Sequence, residues 1–250
     1  MSSADPTSSA SPLSSLGGKV VVITGAAGGL GSCMAQHFRA AGATVIGSDL
    51  RAGEGIVAHD VTREADWARV FADAVRAHGR IDVLVNNAGW YQPNIELRDM
   101  PLEVWQKHFA INSDGPFLGT REALRHMHGR GGAVLNICSG ASLMPFPLGG
   151  AYCASKAAAL MLTRVAARAG GPQGIRVNAI LPGAVPTDML RGNILPGQTE
   201  EQFLEIMKTH HPLGRLASAD DIARAAVFLC SDAAAAITGV ALPVDAGSLG

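Results

Sequence analysis

Residues Lys19–Thr24 form a short, mostly apolar run that ends in a glycine-rich turn, Thr24-Gly-Ala-Ala-Gly-Gly-Leu-Gly31, after which the chain becomes amphipathic. Glycines let the backbone turn tightly and approach a ligand closely. A helix that starts there presents free N–H groups and the positive end of its dipole to an anion such as a pyrophosphate. A turn that merely packs helix on strand remains the plain alternative for this segment alone. The strand–turn–helix order nevertheless restricts the fold, because it is the opening unit of a wound α/β sheet.

The rest of the chain repeats the alternation. Strands are predicted at Lys19–Thr24, Thr44–Ser48, Ile56–Ala58, Ile81–Val85, Ala133–Cys138, Arg176–Leu181 and Val240–Val244. Helices are predicted near Gly29–Ala41, Arg63–His78, Pro101–His128, Gly150–Ala169, Glu200–Thr209 and Ala219–Cys230. Continuous apolar runs suit strands covered on both faces. The alternation predicts an α/β, doubly wound parallel sheet of about seven strands with helices on both faces. No composition break divides the chain after Gly17, so one domain is expected over 17–250. The Ser-, Ala- and Pro-rich start, 1–16, reads as a disordered tail without a secretory signal. The stretch Pro186–Leu213, rich in Gly, Pro and Met, reads as a substrate loop inserted in the last crossover.

Composition excludes some roles. Hydrophobic residues make up 48% of the 250 and charged ones 16%, enough to bury a large core. A net charge of -1 argues against nucleic acid or an anionic membrane as partner, and no apolar run is long enough to span a bilayer. Cys33, Cys138, Cys153 and Cys230 form no C-x-x-C pair, which suits a reduced, cytoplasmic setting. His126 and His128 lack a third ligand at metal spacing, so they read as a solvated helix end and no metal is expected.

Two features carry chemistry. Asp49 closes the second predicted strand, about 20 residues past the glycine turn, where a carboxylate accepts hydrogen bonds from an adenosine ribose and repels a 2′-phosphate. No Lys or Arg lies within the turn, which favours NAD over NADP, although Arg51 follows closely. A simple turn cap is the other reading of Asp49. In Tyr152-Cys-Ala-Ser-Lys156 the phenol and ammonium are four residues apart and share a helix face. A neighbouring cation favours the phenolate and lowers a tyrosine pKa, as an acid/base needs. The alternative is an ordinary helix surface pair.

Taken together, these motifs resemble the short-chain dehydrogenases/reductases over essentially all of Gly17–Gly250. The resemblance rests on Thr24-Gly-x-x-x-Gly-x-Gly31, Asp60-Val61, Asn86-Asn-Ala-Gly89, Asn112, Ser139, Tyr152, Lys156, Arg176-Val-Asn-Ala-Ile-Leu-Pro-Gly183 with Thr187, Pro212-Leu-Gly-Arg215, Ile237-Thr-Gly239 and Val244-Asp-Ala-Gly247. Cys138 stands where a second serine is frequent, and Ala246 where a glycine is frequent. The resemblance implies a Rossmann-type fold and hydride transfer between a secondary alcohol or ketone and a nicotinamide. It makes Asn112, Ser139, Tyr152 and Lys156 the catalytic set. It places the cofactor on Gly25, Gly29, Leu30, Gly31, Asp49, Asp60, Val61, Asn87, Ala88, Gly89, Tyr152, Lys156, Pro182, Gly183, Val185 and Thr187.

By the same resemblance the substrate pocket draws on Trp90 and Tyr91, on Leu143, Met144, Phe146 and Leu148, and on Met189, Leu190 and Ile194. This lining is apolar and aromatic, which suits an uncharged alicyclic, aryl or steroid-like substrate. The rival readings are an NADPH-dependent 3-oxoacyl-thioester reductase, which the near-neutral charge and Asp49 disfavour, and a non-catalytic NAD-binding protein, a kind that usually lacks part of the catalytic set, whereas this chain retains Ser139, Tyr152, Lys156 and Asn112. The resemblance also implies a homotetramer.

Overall fold

The computed structural model describes residues 15–249. Seven parallel strands form one sheet: β1 (Val20–Thr24), β2 (Thr44–Asp49), β3 (Ile56–Ala58), β4 (Val83–Asn86), β5 (Gly132–Ile137), β6 (Ile175–Pro182) and β7 (Ala241–Val244). Their spatial order is β3-β2-β1-β4-β5-β6-β7. The chain winds outward from β1 to β3, returns to β4, and winds the other way to β7. The carboxyl ends of β1 and β4 therefore border the point where the winding reverses, the usual ligand crevice of such sheets.

Alternation along the strands divides the core in two. Val21, Ile23, Val83, Val85 and Leu135 face α1 (Gly29–Ala40) and α8 (Ala219–Cys230), packing with Met34, Phe38, Ile222 and Ala226. Val22, Leu84, Val134 and Val177 face the other way, toward Trp67 and Phe71 of α2 (Glu64–His78), Ala123 near the end of α4 (Gly115–His126) and Ala166 of α5 (Gly150–Gly170). Successive side chains of a strand point to opposite faces, so a sheet covered twice needs apolar residues at every position.

Three expectations are modified. The domain begins before residue 17: Leu16 is fully buried in the α1/α8 layer and its N–H donates to the Ala41 carbonyl at 2.8 Å. The rest of the predicted tail, 1–14, lies outside the described residues. The single helix expected over Pro101–His128 is divided into α3 (Leu102–Phe109), a π-helical turn (Ala110–Asp114) and α4. Pro116 explains much of this. It has no N–H, so the Asn112 carbonyl loses its normal i+4 donor, and the Gly115 N–H reaches back to Ala110 instead. The loop over 186–213 holds one helical turn that the pattern did not predict, α6 (Asp188–Arg191), before the expected helix α7 (Glu200–Thr209), which is closed by a Thr199/Gln202 capping box.

His59, just after β3, is a buried titratable group, only 2% exposed. Its Nδ1 lies 3.0 Å from the Ser48 hydroxyl, and its ring meets Trp67 edge-on at 4.3 Å. Desolvation lowers its pKa to about 4, with Arg69 adding to the effect and Asp66 and Asp60 opposing it. The unfolded chain takes up that proton near pH 6.5, the folded chain only near pH 4. This contribution to stability is therefore complete above about pH 6.5 and is lost as the pH falls toward 4. Wild type should lose about 2–3 kcal/mol more than His59→Asn between pH 7 and pH 4.5. Urea midpoints for the two proteins check this, and parallel pH profiles would exclude it.

Candidate active site

The predicted residues gather at the carboxyl edge of the sheet. Gly25 follows β1 with φ +67°, and a Cβ there would come within 2.9 Å of the Ala88 Cα. A Cβ on Gly31 would lie 2.1 Å from the Gly25 carbonyl oxygen, so the first turn of α1 closes only with glycine there. At Gly29 a Cβ meets nothing within 4 Å, which leaves the start of α1 accessible. Leu30 is partly buried behind it, against the α1/α8 layer.

Asn87 and Thr24 hold this turn against β4. The Thr24 hydroxyl accepts from the Asn87 and Ala88 N–H groups, both at 3.0 Å. The Asn87 amide donates to the carbonyls of Thr24 at 2.8 Å and Gly25 at 3.2 Å. Asp49 touches the same turn: its carboxylate accepts the Ala27 N–H at 3.0 Å and the Leu50 N–H at 2.8 Å. Two bonds leave acceptor capacity on a carboxylate, so the turn cap and a place for a ribose hydroxyl coexist. Arg51 is exposed just beyond. Asp60 accepts from the Thr62 N–H and hydroxyl. Val61 packs in the core, its carbonyl taking the Trp67 indole N–H at 2.9 Å.

The next loop leads to the polar centre. A Cβ on Gly89 would lie 3.4 Å from both the Asn112 Oδ1 and the Lys156 Nζ, so these two groups flank the chain just past Asn87. Asn112, fully buried in the π turn, exchanges both amide bonds with the Trp90 backbone at 2.9 Å and donates to Ser155 at 3.1 Å. Ser155 in turn donates to the Tyr152 carbonyl at 2.9 Å, and Ser113 donates to the Ser155 carbonyl at 2.9 Å. This serine fixes α5 against the π turn. In the sequence it is one small polar residue between Tyr152 and Lys156, and nothing local marks it.

Lys156 is 5% exposed and donates to the Ile137 carbonyl at 2.8 Å. Its Nζ is 5.9 Å from the Tyr152 ring centroid. The lysine does not produce the lowered tyrosine pKa expected from the spacing. Desolvation pushes the Tyr152 phenol up to about 12, with a hydrogen bond to Ser139 pulling the other way. Burial also lowers Lys156. Dry surroundings disfavour both charged forms, and at this separation burial outweighs their attraction. Ser139 itself opens a short 3-10 turn after β5, its hydroxyl accepting the Ala141 N–H at 3.2 Å.

Behind these groups a buried polar row crosses the sheet. Asn86 donates to Asn136 at 2.8 Å, and Asn136 donates to Thr163 of α5 at 2.8 Å. At the far side, Pro182 ends β6 and Gly183 donates to Val244 at 3.3 Å. Val185 is buried in the core, and Thr187 precedes α6, its N–H on the Val185 carbonyl at 2.7 Å. Ala246 holds φ +53°, at a strain of order 1 kcal/mol for a residue with a Cβ.

Of the expected pocket residues, Tyr91 stands beside Tyr152, and Phe146 beside Tyr91. The Tyr91 ring centroid is 4.9 Å from that of Tyr152 and 6.2 Å from that of Phe146. Its hydroxyl donates to Asn193 at 3.1 Å, joining the loop after β4 to the loop after α6. Trp90 turns instead toward His108, at 4.6 Å, with Lys107 over its face at 4.1 Å. Leu143, Met144, Leu148 and Met189 are exposed at the rim, Leu190 and Ile194 partly buried. His108 was not anticipated: 1% exposed, it is wedged beside Trp90, Tyr91 and Tyr152 with its pKa lowered by burial. Nothing in its helical context distinguished it.

Among known proteins, a family model described as Enoyl-(Acyl carrier protein) reductase matches residues 25–248. A 2,5-dichloro-2,5-cyclohexadiene-1,4-diol dehydrogenase from Sphingobium indicum is 37% identical over 248 residues, covering 93% of this chain and 96% of its own. A 3-beta-hydroxysteroid dehydrogenase from Comamonas testosteroni is 34% identical, covering 94% and 97%. A 3-ketoacyl-(acyl-carrier-protein) reductase from Brucella melitensis, solved with NADH, superposes with a TM-score of 0.87 at 33% identity over 94% of this chain and 100% of its own. With the parallel sheet and the glycine turn already in place, the chain belongs to the short-chain dehydrogenases/reductases, oxidoreductases that act on CH–OH groups with a nicotinamide cofactor.

Proposed function

We propose that the protein is an NAD-dependent dehydrogenase of uncharged secondary alcohols, with alicyclic, aryl or steroid-like rings as the substrate class. The observation that carries this reading is the approach of Tyr152, Lys156, Ser139 and Asn112 to the Gly25–Asn87 clamp, with Tyr91 and Phe146 as an aromatic wall. The relatives' action on a cyclic diol and a hydroxysteroid agrees with such a wall.

The site suits a dinucleotide. The open space at Gly29, the free start of α1 and the acceptor capacity of Asp49 match a pyrophosphate followed by an unphosphorylated ribose. Asp60 and Val61 would hold the adenine end, Leu30, Gly31, Ala88 and Gly89 the middle, and Pro182, Gly183, Val185 and Thr187 the nicotinamide end. When bound, the nicotinamide accepts or supplies the hydride.

The chain's own residues govern the proton. Tyr152 takes the alcohol proton as phenolate, or donates it to a ketone as phenol. A phenol near pKa 12 is held protonated at neutral pH, which fits donation. Removing an alcohol proton requires added positive charge beside the ring, supplied by Lys156 turned from Ile137 and by the oxidised cofactor. Ser139 hydrogen-bonds the reacting oxygen as its charge changes. Asn112 positions a water that links Lys156 to solvent, and the missing N–H of Pro116 leaves its carbonyl available for that water.

A 3-oxoacyl-thioester reductase is the second reading, favoured by the Brucella structure. A carboxylate at position 49 disfavours the phosphate of NADPH. We also propose a homotetramer in a reducing cytoplasm. Its support is apolar exposure on the outer faces of α4 and α5, where Phe117, Met161 and Val165 are 46%, 55% and 59% exposed, together with four free cysteines. No helix among the described residues is long and apolar enough to cross a membrane.

Replacing Tyr152 by Phe should cut turnover at least about 100-fold while cofactor binding stays nearly unchanged. Turnover close to wild type would remove Tyr152 from the chemistry. Wild type should prefer NAD to NADP by about tenfold or more in kcat/KM. Asp49→Asn, which keeps an acceptor for Ala27, should narrow that ratio. A wild-type preference for NADPH with acyl thioesters would install the second reading. Elution as a stable monomer in size-exclusion chromatography would overturn the tetramer.

A further inference from the structure

Helix α1 carries two metal-binding side chains that hydride transfer does not use. Cys33 and His37 are four residues apart, so they share one face of the helix. Helix α8 brings Asp220 to that face from its own first turn. The His37 Nε2 is 2.7 Å from the Asp220 Oδ1, and the Cys33 Sγ is 3.8 Å from the same oxygen. One donor atom from each residue lies within 4.8 Å of the others. Across a tetrahedral zinc with bonds of about 2.0–2.3 Å, donors stand roughly 3.4–3.6 Å apart. Small side-chain rotations therefore suffice to bring the three atoms round one ion.

The donor chemistry and the setting agree. Thiolate, imidazole and carboxylate are the three ligand types zinc takes, and sulfur with imidazole selects it over magnesium or calcium. The two helices share one apolar layer through Met34, Phe38, Ile222 and Ala226, so the donors project from rigid elements. The neighbouring cation, Arg224, has its Nε on the Asp220 backbone carbonyl at 3.3 Å, leaving the carboxylate to the cluster. The side chains of His37 and Asp220 are 30% and 56% exposed, so solvent reaches the cluster and can supply a fourth ligand.

We propose that Cys33, His37 and Asp220 form a zinc-binding site that ties α1 to α8, away from the acid/base residues. The competing account is a surface His–Asp ion pair with a bystander thiol. Coordination needs the thiolate. Burial and the adjacent Asp220 raise the Cys33 thiol, so binding displaces its proton. The proposal stands independently of the dehydrogenase reading.

The test uses the full chain without an affinity tag. Zinc chloride titrated calorimetrically should bind one equivalent and raise the melting temperature. Cobalt(II) in its place should give tetrahedral d–d bands and a thiolate charge-transfer band. Loss of an outer-shell partner alone costs about 10- to 100-fold in metal affinity. His37→Gln and Asp220→Asn should therefore each weaken zinc at least about tenfold, and Cys33→Ser should abolish the charge-transfer band. Turnover in the metal-free variants should match wild type, showing that they fold. Three results would overturn the site: no zinc uptake by wild type, uptake that survives all three substitutions, or uptake abolished by His126→Gln instead.

Discussion

The contact on which the architecture most depends is the clamp between Thr24 and Asn87. It joins the carboxyl ends of β1 and β4, the two strands from which the chain winds in opposite directions. A reversal of winding leaves a crevice between the outgoing loops. The clamp fixes the width of that crevice, because one asparagine amide binds both the last residue of β1 and the first glycine of the turn. Asp49 is bonded into the glycine turn on one side, while Gly89 continues to Asn112 and Lys156 on the other.

From this origin α5 is held by polar contacts in addition to the apolar side that puts Ala159, Leu160 and Ala166 in the core. Ser155 accepts from Asn112 of the π turn, Thr163 accepts from Asn136, and the Ser142 hydroxyl donates to the Lys156 carbonyl at 3.1 Å. Buried hydrogen bonds of this kind are costly to leave half-made, so they fix rotation and height together. The row from Asn86 to Thr163 still leaves the Asn86 Oδ1 without a protein partner. The dry surroundings that make these bonds effective also hold Tyr152 and Lys156 toward their neutral forms.

All seven strands were legible in the sequence, since their signal is local: a short apolar run bounded by turns. The glycine turn and the Tyr152–Lys156 spacing were legible for the same reason. The break in the helix at 110–114 was written at Pro116, but one proline near a helix start also reads as an ordinary first-turn residue. Leu16 reads as part of the tail because one leucine beside Ser and Gly carries no period. The direction of the Tyr152 shift was missed because sequence spacing gives the lysine's neighbourhood and not the burial that opposes it. His108, the Asn193 partner of Tyr91 and the Asp220 partner of His37 depend on contacts across the fold, with separations of 102 and 183 residues in the last two pairs. No local pattern encodes such pairings.

The chain contains two tyrosines, Tyr91 and Tyr152, and the fold brings both to the same wall of the cleft with ring centroids 4.9 Å apart. Burial pushes each phenol up to about 12. The tyrosinate absorbance of the entire protein in alkali therefore arises from this one place, with no background from elsewhere in the chain. Whatever enters or leaves the cleft alters the only two phenols of the chain, so the protein carries a label-free optical reporter in that cleft. One of the two is also bonded to Asn193, so the same signal registers the position of the loop above the site.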